Sequence, residues 1–505
     1  MVNRMKSTYK VPHIYSEIKN KKVNEPVVIN VPGSKSITNR ALLLATLADG
    51  KSTLRGVLFS EDSRHFLKCI QELGFETTVD EQARVITVKG NGGEVPLKEA
   101  AQYVGSAGTA ARFLTAYLGV SQGTYYMDAS EQMRKRPMEP LLDSLKELGC
   151  EVIYGTNIPK EKDASNEDIV NTQMSRAKAA GMDDRDYVEG HFPFALRGHG
   201  FGKNVISINI DNSSQFLSAL LIASCLSKED FTIKVEGTHG MSYIEMTCKM
   251  MQQFGVKVQR MENGYPVDDE NAGTDGMACN ARQNMAKIES QSSPTISYVT
   301  KAGQKYKPMD YSVEPDVSAA CYFYAMTPLL NIPVMVENVH FNSLQGDVKF
   351  IHVLEKMGCK VEDTEKGITV YPPENGEFMG VEVDMSSFSD QAITLAAIAP
   401  FAQTSTKITG IGHIRLQESD RIKAIVTELS KLGVHCKETQ DSITIYPSTP
   451  QAGIVETYDD HRMAMGFSLI GLRTDGVEID NPLCCKKTFE NYFEVLDKTV
   501  DKIRS

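Results

Sequence analysis

The 505-residue sequence has no apolar stretch that approaches the roughly 20 residues needed to span a membrane. Its first 25 residues are polar and rich in lysine, and they lack the apolar segment of a secretory signal. The composition, with 41% hydrophobic and 24% charged residues, is typical of a globular protein in water. These absences predict a cytoplasmic protein that does not enter a membrane.

Metal-binding and redox cysteine motifs are also absent. The ten cysteines lie singly apart from Cys484 and Cys485, with no CxxC pair and no histidine at ligand spacing. The net charge of −11 disfavours general binding of nucleic acid. Any anion that the protein binds must therefore be held by a local cluster of cations.

One unit recurs along the chain. A helix end of the form L/M-x-x-L/F/M-G is found five times, and two of its four intervals are about 75 residues while the other two are about 30 longer. Its glycines are Gly74, Gly149, Gly255, Gly358 and Gly433. Alternating apolar stretches lie between the helical patterns, so each unit reads as helix, strand, helix and strand pair. A chain of this length is too long to fold around one hydrophobic core of ordinary size. We therefore predict an α/β protein with two similar lobes of three units each.

The longer intervals contain polar segments at about 156–198 and 262–306, which we interpret as surface insertions in strand connections. Six Ala/Leu-rich helices begin with a small or acidic residue that can cap the free amides of the first turn. Helix N-termini attract anions, so six that converge would form a strong anion site. For any one of them taken alone, plain capping is the favoured explanation.

The most informative segment is VPGSKSITNRALLLA, from Val31 to Ala45. It is similar to a nucleotide-binding P-loop, but Ser34 stands where that motif needs the glycine that precedes its lysine. Nucleoside triphosphate binding is therefore disfavoured. Lys35 and Arg40 beside a helix N-terminus remain a suitable site for a phosphate or carboxylate.

The pattern PGSKSxxNRALLLAxLA resembles the enolpyruvyl transferases, and the 3-phosphoshikimate 1-carboxyvinyltransferase (EPSP synthase) family in particular. Eight further motifs follow in the order of that family, and together they cover most of the chain: GSAGTAARFL, KRPMEPL, SSQFLSALL, EPDVSAACY, SDQAIT, IRLQESDRI, YDDHRMAM and KKTF. The resemblance implies two inverted βα-barrel-like lobes, each of three βαβαββ units, joined by a double crossover. One lobe would comprise residues 1–31 and 313–505, and the other residues 32–312. A strand near residues 26–31 would complete the first.

The family moves the enolpyruvyl group of phosphoenolpyruvate to the 5-hydroxyl of shikimate 3-phosphate, on the pathway to chorismate and the aromatic amino acids. The chemistry needs a base at the hydroxyl and an acid at the methylene carbon. By resemblance, Asp390 is the base, Glu418 protonates and later deprotonates the methylene, and Lys35 is a third proton-transfer candidate. Asp62 and Asp460 would support them from outside the direct contacts. Asp390 could also be no more than a helix cap.

Substrate contacts carry over position by position. The residues that match shikimate 3-phosphate contacts are Lys35, Ser36, Arg40, Ser213, Ser214, Gln215, Asp390 and Gln417, with Ser242 assigned to the segment THGMSYIE. The residues that match phosphoenolpyruvate contacts are Lys35, Gly108, Arg136, Gln215, Arg421, Arg462 and Lys487, with Arg112 nearby. Gly108 would leave space for the small anion. The resemblance also implies inhibition by glyphosate.

Four positions depart from the family. Gln417 stands where many members have lysine, His413 and Ser106 where asparagine is frequent, and Phe113 where proline is frequent. We expect no metal or organic cofactor, because acid, base and cations suffice, and we expect a monomer whose lobes close over the substrates. Two alternatives stay open, a UDP-N-acetylglucosamine 1-carboxyvinyltransferase and a catalytically silent paralogue that binds anions. Lys35-Ser36 disfavours the first, and Asp390 with Glu418 disfavours the second.

Overall fold

The computed structural model describes residues 8–154 except 20, 22 and 24, residues 188–267, and residues 295–505. Helices and strands alternate along these ranges, and the strands found there form six sheets. None of the helices in these ranges is long and apolar enough to cross a membrane. The predicted α/β class, with six related units, is confirmed.

Five of the six sheets share one arrangement, in which a parallel pair of strands is followed by an antiparallel hairpin. The sixth pairs two parallel strands with one antiparallel strand from near the N-terminus. In strand order the sheets are Asp310–Ser312, Asp49–Arg55, Val85–Asn91, Glu76–Asp80; Glu99–Tyr103, Gly123–Asp128, Phe194–Gly198, Glu151–Tyr154; Val205–Asn209, Phe231–Glu236, Ile296–Thr300, Val258–Glu262, Tyr265–Pro266; Lys360–Thr364, Gly367–Tyr371, Val334–Glu337, Val27–Ile29; Glu382–Asp384, Thr406–Thr409, Ile443–Ile445, Cys436–Glu438; and Thr8–Lys10, Val477–Asp480, Gly453–Val455.

The first helix of each unit is almost wholly buried, as its Ala/Leu-rich sequence predicts. These helices are Lys35–Leu47, Gly108–Val120, Ser214–Ser224, Val317–Tyr324, Ala392–Ile398 and His461–Arg473. The second helix buries one face only, and this group comprises Glu61–Glu72, Glu139–Glu147, Met241–Gln253, Lys349–Lys356, Arg421–Lys431 and Tyr492–Arg504. Short helices are Tyr15–Ile18, Glu131–Arg134 and Met326–Leu330, and 3₁₀ turns are Gly346–Val348, Ser389–Gln391, Ala399–Phe401, Gly412–Leu416 and Pro482–Lys487.

The recurring glycines end the second helices in the left-handed region. Their φ angles run from 78° at Gly433 to 110° at Gly358, where a side chain would be strained. Four of the buried first helices are capped at their N-termini by side chains that accept a hydrogen bond from a first-turn amide. These capping residues are Ser34, Ser213, Asp316 and Asp460. The predicted capping is therefore present at four of the six buried helices.

Two separate hydrophobic cores underlie the fold. One contains residues from Val11 to Val31 together with residues from Val317 to Ile503, and the other runs from Ile37 to Val313. The predicted strand near residues 26–31 is Val27–Ile29, and it pairs with Val334–Val336 of the first core. We propose the lobe boundaries predicted from the sequence, near 31/32 and 312/313, and these cores support them.

The chain passes between the cores at two adjacent segments. Ser34 N donates to Glu314 O over 2.8 Å, and Asp316 N donates to Pro32 O over 2.8 Å. A β-bridge joins Gly33 to Pro315, and Gly33 has no room for a side chain because a Cβ atom would lie 2.0 Å from the carbonyl oxygen of Gly56. The predicted double crossover is thus a pair of adjacent segments joined by backbone hydrogen bonds.

The predicted insertions lie mostly outside the described residues, at 155–187 and 268–294. Within the predicted ranges, the described segments Phe194–Gly198 and Ile296–Thr300 are strands, and each occupies an inner position of a sheet. The segments outside the repeated unit are therefore shorter than the ranges 156–198 and 262–306.

Candidate active site

A cavity of about 100 Å³ lies between the two cores. Twelve of the residues singled out from the sequence line it: Lys35, Ser36, Arg40, Arg136, Ser213, Ser214, Gln215, Asp390, Gln417, Glu418, Arg421 and Arg462. Many of these residues lie at the N-termini of three buried helices, which begin at Lys35, Ser214 and His461. The fold therefore brings together side chains that are more than 400 residues apart in the sequence.

Lys35 and Arg40 occupy the first two turns of the helix Lys35–Leu47. Lys35 Nζ lies 3.3 Å from Asp62 Oδ2, and its amide donates to Asp316 Oδ2 across the crossover. Arg40 is buried and donates to Thr247 Oγ1 over 2.8 Å and to the carbonyl oxygen of Ser36 over 3.0 Å. Burial lowers the pKa of Arg40 to about 10, still far above neutrality, so the guanidinium keeps its charge for an anion.

Ser213, Ser214 and Gln215 begin the helix Ser214–Ser224. Ser213 Oγ accepts from the Gln215 amide over 3.3 Å, which fixes the first turn. The Gln215 Oε1 atom is buried and has no hydrogen-bond partner. Because a buried polar atom without a partner is costly, this amide is suited to a ligand that enters the cavity.

Asp390 is surrounded by donors from three helices. Arg462 Nη2 lies 2.6 Å from Asp390 Oδ2, and Arg421 Nη1 lies 3.0 Å from Oδ1. The Tyr243 hydroxyl donates to Oδ2 over 2.9 Å. Burial alone would raise the pKa of Asp390, but Arg462 and Arg421 bring it below its ordinary value. No side-chain cap is made at the helix Ala392–Ile398 or at the 3₁₀ turn before it, so Asp390 is not the helix cap considered as an alternative from the sequence.

Glu418 faces three cations. Its carboxylate lies 2.9 Å from Arg421 Nη2, 3.4 Å from Lys487 Nζ and 3.8 Å from Arg136 Nη1. Burial would raise the pKa of Glu418, but Lys487, Arg421 and Arg136 lower it well below its usual value. The buried Lys487 ammonium makes no hydrogen bond and contacts Glu418 as an ion pair, so an anion that enters the site can compete with Glu418 for it. Arg421 is held from behind by Asp460, whose Oδ2 lies 2.8 Å from Nε.

Gly108 lies beside this group of cations rather than on the cavity wall. A Cβ atom at this position would lie 2.9 Å from Arg136 Nη1, 3.1 Å from Arg112 Nη1 and 3.4 Å from Gln215 Oε1. Contacts this short would displace the guanidinium of Arg136. A side chain at position 108 would therefore crowd the cations of the site. Arg112 is buried against it, and its Nη1 donates to Gly108 O over 3.3 Å.

The structure does not bring Ser242 to the cavity. Its hydroxyl donates to the carbonyl oxygen of Ser387 in the other lobe, because the helix begins at Met241 and directs Ser242 away. The next residue, Tyr243, lines the cavity instead. His239 and His461 also line it and were not singled out from the sequence. His461 lies inside the motif YDDHRMAM, which was the available signal, whereas nothing local marked Tyr243 or His239.

The four departures from the family have defined surroundings. Gln417 Oε1 accepts a hydrogen bond from Arg421 Nη1, so its amide is engaged with a site cation. The Phe113 ring lies 5.3 Å below the Arg40 guanidinium, a cation–π contact that holds this cation. Ser106 Oγ lies 2.6 Å from Ser130 Oγ. His413 lies 2.7 Å from Ser389 Oγ, and its ring faces that of His239 of the other lobe, with ring centroids 3.3 Å apart and ring planes tilted by 33°.

The His239–His413 pair predicts a dependence of stability on pH. Burial, opposed by Asp390 and Asp211, lowers the pKa of His239 to about 4, and burial with the neighbouring ring of His239 and Arg421 lowers that of His413 to about 3. An unfolded histidine binds its proton near pH 6.5, so between pH 6.5 and 4 the unfolded state holds more protons and stability falls with falling pH. Each histidine contributes at most about 1.4 kcal/mol per pH unit in this window.

His413→Asn should therefore flatten the fall in melting temperature between pH 6.5 and 4.5. The control is His352→Asn, which removes an exposed histidine that stacks on Phe341. Thermal unfolding followed by circular dichroism at several pH values measures the effect. Equal pH dependences of the His413→Asn variant and the unmodified protein would contradict it.

The site defines a class of protein. Among the described residues, no group of three or more His, Cys, Asp or Glu side chains is arranged to hold a metal ion. Two largely buried carboxylates, Asp390 and Glu418, are instead surrounded by the cations Lys35, Arg40, Arg136, Arg421, Arg462 and Lys487. This arrangement suits an enzyme that binds phosphorylated and carboxylated substrates between two lobes and moves protons.

Comparisons with known proteins agree with this class. The chain matches the sequence model of the EPSP synthase (3-phosphoshikimate 1-carboxyvinyltransferase) family over residues 19–174, 186–272 and 281–496. It is 38% identical to 3-phosphoshikimate 1-carboxyvinyltransferase of Trichormus variabilis, over 93% of this chain and 96% of that protein. It is 33% identical to 3-phosphoshikimate 1-carboxyvinyltransferase 2 of Halalkalibacterium halodurans, over 93% and 91% of the two chains. The chain belongs to the EPSP synthase family.

Solved structures show the same fold. EPSP synthase of Acinetobacter baumannii superposes with a TM-score of 0.66 at 23% identity, covering 94% of this chain and 95% of that one. The enolpyruvyl transferase NikO of Streptomyces tendae has a TM-score of 0.63 at 14% identity, covering 95% of each chain. The two-lobed fold expected from the sequence is therefore confirmed.

Proposed function

We propose that this chain transfers the enolpyruvyl group of phosphoenolpyruvate to the 5-hydroxyl of shikimate 3-phosphate. The products are 5-enolpyruvylshikimate 3-phosphate and phosphate, on the pathway to chorismate and the aromatic amino acids. The reaction is that of its family, and one observation in the structure supports it most directly. Asp390 and Glu418 occupy the wall of one cavity, each bonded to Arg421, with the other cations around them.

The two substrates would fill two parts of this cavity. Lys35, Ser36, Arg40, Ser213, Ser214, Gln215 and Gln417 would hold the acceptor, and Lys35, Gly108, Arg136, Gln215, Arg421, Arg462 and Lys487 would hold phosphoenolpyruvate. The substrates together carry two phosphates and two carboxylates, which bind poorly in a low-dielectric site unless they are paired. Tyr243, which lies where Ser242 was expected, is proposed as an acceptor contact in its place.

The proposed addition step moves two protons. Asp390 accepts the proton of the 5-hydroxyl as that oxygen attacks the enol carbon, and Glu418 gives a proton to the methylene carbon, which becomes a methyl group. In the elimination step, Glu418 takes a methyl proton back and the bond from carbon to the phosphate oxygen breaks. Lys35 gives a proton to that bridging oxygen, so that phosphate leaves.

Glu418 is ionised in the ligand-free site, because three cations lower its pKa. An acid must nevertheless hold a proton before the addition step. Phosphoenolpyruvate would engage Lys487, Arg136 and Arg421 with its own charges, which weakens their effect on Glu418 and raises its pKa. Substrate binding would therefore prepare Glu418 for proton transfer.

Gly108→Ala should weaken phosphoenolpyruvate binding, because the added methyl group would press on Arg136. We expect KM for phosphoenolpyruvate to rise about tenfold, equivalent to about 1.4 kcal/mol, while KM for the acceptor changes little. Inhibition by glyphosate should weaken in parallel if glyphosate uses the same anion site. The control is Gly200→Ala, because an added Cβ atom there would have no neighbour within 4 Å, and the positive φ of Gly200 makes backbone strain its main effect. Gly119→Ala is unsuitable, because its Cβ atom would lie 2.7 Å from Leu145 Cδ1. An unchanged KM for phosphoenolpyruvate would contradict the steric role.

One assay tests the function itself. The protein is incubated with phosphoenolpyruvate and with either shikimate 3-phosphate or UDP-N-acetylglucosamine, and released phosphate is measured. Release with shikimate 3-phosphate alone supports the proposal. Release with the nucleotide sugar alone would assign the other enolpyruvyl transfer, and release with neither would favour an anion-binding paralogue.

We also propose that the chain acts as a monomer in the cytoplasm and that its lobes close over the substrates. This one chain supplies both proposed acid–base groups and the cations around them, so the proposed chemistry needs no residue of a second copy. Phosphorylated substrates are costly to move through a membrane, which supports the cytoplasmic location. Solution scattering with and without saturating shikimate 3-phosphate tests closure, which predicts a smaller radius of gyration with ligand.

A further inference from the structure

Asp347 is a second carboxyl group close to the proposed base, and neither the sequence motifs nor the proposed mechanism uses it. It lies in the 3₁₀ turn Gly346–Val348 and is 2% exposed. Within the part of the chain that the structure describes, no Lys, Arg or His side chain forms an ion pair with it. A buried carboxyl group without such a partner is costly when charged, so its position calls for an explanation.

Two hydrogen bonds connect Asp347 to both sides of Asp390. Gln391, the residue that follows Asp390, donates from Nε2 to Asp347 Oδ1 over 2.7 Å. The Tyr243 hydroxyl lies 3.4 Å from Asp347 Oδ2 and donates to Asp390 Oδ2 over 2.9 Å. Asp347 therefore contacts the turn that carries Asp390 and also the tyrosine that donates to it.

These contacts cross between the lobes. Tyr243 lies on the helix Met241–Gln253, which packs in the core of residues 37–313, whereas Asp347 and Asp390 belong to segments of the other core. The hydroxyl of Tyr243 can reach the two carboxyl groups only while the lobes are together. The hydrogen bond that Asp390 receives from Tyr243 thus depends on lobe closure.

The charges around Asp347 favour its neutral form. Burial and the nearby charge of Asp390 raise the pKa of Asp347, with a smaller contribution from Asp316, while Arg462 and the Gln391 hydrogen bond oppose the shift. Cys321 packs against the same turn and its Sγ donates to the Asp347 carbonyl oxygen over 3.6 Å. A protonated Asp347 can donate to the Tyr243 oxygen, which leaves the Tyr243 hydrogen directed at Asp390.

We propose that Asp347 is a positioning residue for proton transfer, which holds the Tyr243 hydroxyl on Asp390 when the two lobes are closed. The inference rests on the proposed function, in which Asp390 accepts the proton of the acceptor hydroxyl. Asp347 is not on the wall of the 100 Å³ cavity; it lines a smaller adjoining pocket with Tyr243 and Arg462, and it acts through Tyr243 and Gln391. It makes the alignment and basicity of Asp390 depend on closure.

The test compares Asp347→Ala, Asp347→Asn, Tyr243→Phe and the double variants by the pH profile of kcat. Tyr243→Phe removes a donor to the Asp390 carboxylate, so we expect kcat to fall roughly tenfold, the loss expected for one hydrogen bond to a charged group. The acid limb of the profile should move to higher pH, because the ionised form of Asp390 loses stabilisation. Asp347→Ala should produce the same change, whereas Asp347→Asn, a neutral group of the same shape, should keep kcat within about threefold.

Non-additivity distinguishes positioning from a general loss of structure. The kcat of the double variant Asp347→Ala/Tyr243→Phe should lie within about twofold of the kcat of Tyr243→Phe alone, because both changes act on the same hydrogen bond. Asp363→Ala, which removes a partly exposed carboxylate bonded to His340, is the control and should leave the profile unchanged. Additive losses, or an acid limb that does not move in Tyr243→Phe, would overturn the inference.

If Asp347→Ala does not fold, Asp347→Asn and its double variant with Tyr243→Phe decide the question by the same criteria. A thousandfold loss in Asp347→Asn would overturn the neutral role of Asp347. The activity of the unmodified enzyme distinguishes a failure of the proposed function from a failure of the proposed role of Asp347. Its failure to release phosphate would overturn the proposed function, whereas an active enzyme with additive variants would overturn only the role of Asp347.

Discussion

Glu418→Gln is expected to lower kcat about a thousandfold, within the range that a positioned acid or base contributes. The amide has nearly the shape of the carboxylate, but it can neither deliver a proton to the methylene carbon nor remove one from the methyl group. A thousandfold loss corresponds to about 4 kcal/mol in the activation free energy. Because both proposed steps pass through Glu418, no second route is expected to recover the rate.

Binding should respond differently in this variant. Glu418 engages Arg421, Lys487 and Arg136 in the ligand-free site, so its neutralisation releases these cations for phosphoenolpyruvate. We expect affinity for shikimate 3-phosphate to be unchanged and that for phosphoenolpyruvate to be equal or higher. Calorimetry measures the binding, and phosphate release measures kcat.

A second readout is independent of product formation. In deuterium oxide, reversible protonation of the methylene carbon would introduce deuterium into unreacted phosphoenolpyruvate, and Glu418→Gln should abolish this exchange. Glu428→Gln is the matched control, since Glu428 is a fully buried glutamate that pairs with Lys431 outside the cavity. It should reduce thermal stability without a large change in kcat. Comparable losses of kcat and of substrate affinity in Glu418→Gln would refute its role as proton donor.

Asp390→Asn should also lower kcat about a thousandfold, because the amide cannot accept the proton of the 5-hydroxyl. The change leaves Arg462 without its carboxylate partner at 2.6 Å, while Arg421 keeps Asp460 and Glu418. The site becomes more positive, so phosphoenolpyruvate should bind at least as tightly as before. Loss of rate with retained or stronger donor binding is the expected result.

Asp384→Asn is the control for Asp390. Asp384 lies six residues earlier and accepts from Ser386, away from the cavity, so its neutralisation tests the effect of charge in the same segment. Steady-state kinetics with varied phosphoenolpyruvate and acceptor separate kcat from KM. If Asp390→Asn raised KM for phosphoenolpyruvate in proportion to its loss of kcat, Asp390 would be a structural partner of Arg462 and not the base.

Much of the fold could be predicted from local patterns. The spacing of Gly74, Gly149, Gly255, Gly358 and Gly433 reflects a conformation that only a residue tolerant of positive φ adopts cheaply, so each copy of the unit carries the same signal. The buried helices are recognisable because hydrophobic content and capping residues are properties of neighbours in the chain. The predicted ranges of the two insertions were too long. Phe194–Gly198 and Ile296–Thr300 form strands because they pair with distant strands, which the local sequence does not show.

The candidate site was predicted less completely. Lys35, Arg40, Asp390 and Glu418 stand in motifs, and the fold brings them to one cavity. Ser242 and Tyr243 are adjacent in the sequence, so an uncertainty of one residue decided which of them faces the cavity. Helix geometry turns successive side chains by about 100°, which only the structure resolves.

The sequence by itself determined the class of fold, the family and the set of cations and carboxylates available for chemistry. These depend on residue types and on short spacings, which the chain order displays directly. The tertiary structure alone decided which groups meet. The contacts of Tyr243 with Asp390 and Asp347, and of His239 with His413, join residues more than 100 positions apart across two lobes. Proton affinities follow from such contacts and from burial, because both act through distance in space, and sequence spacing does not encode that distance.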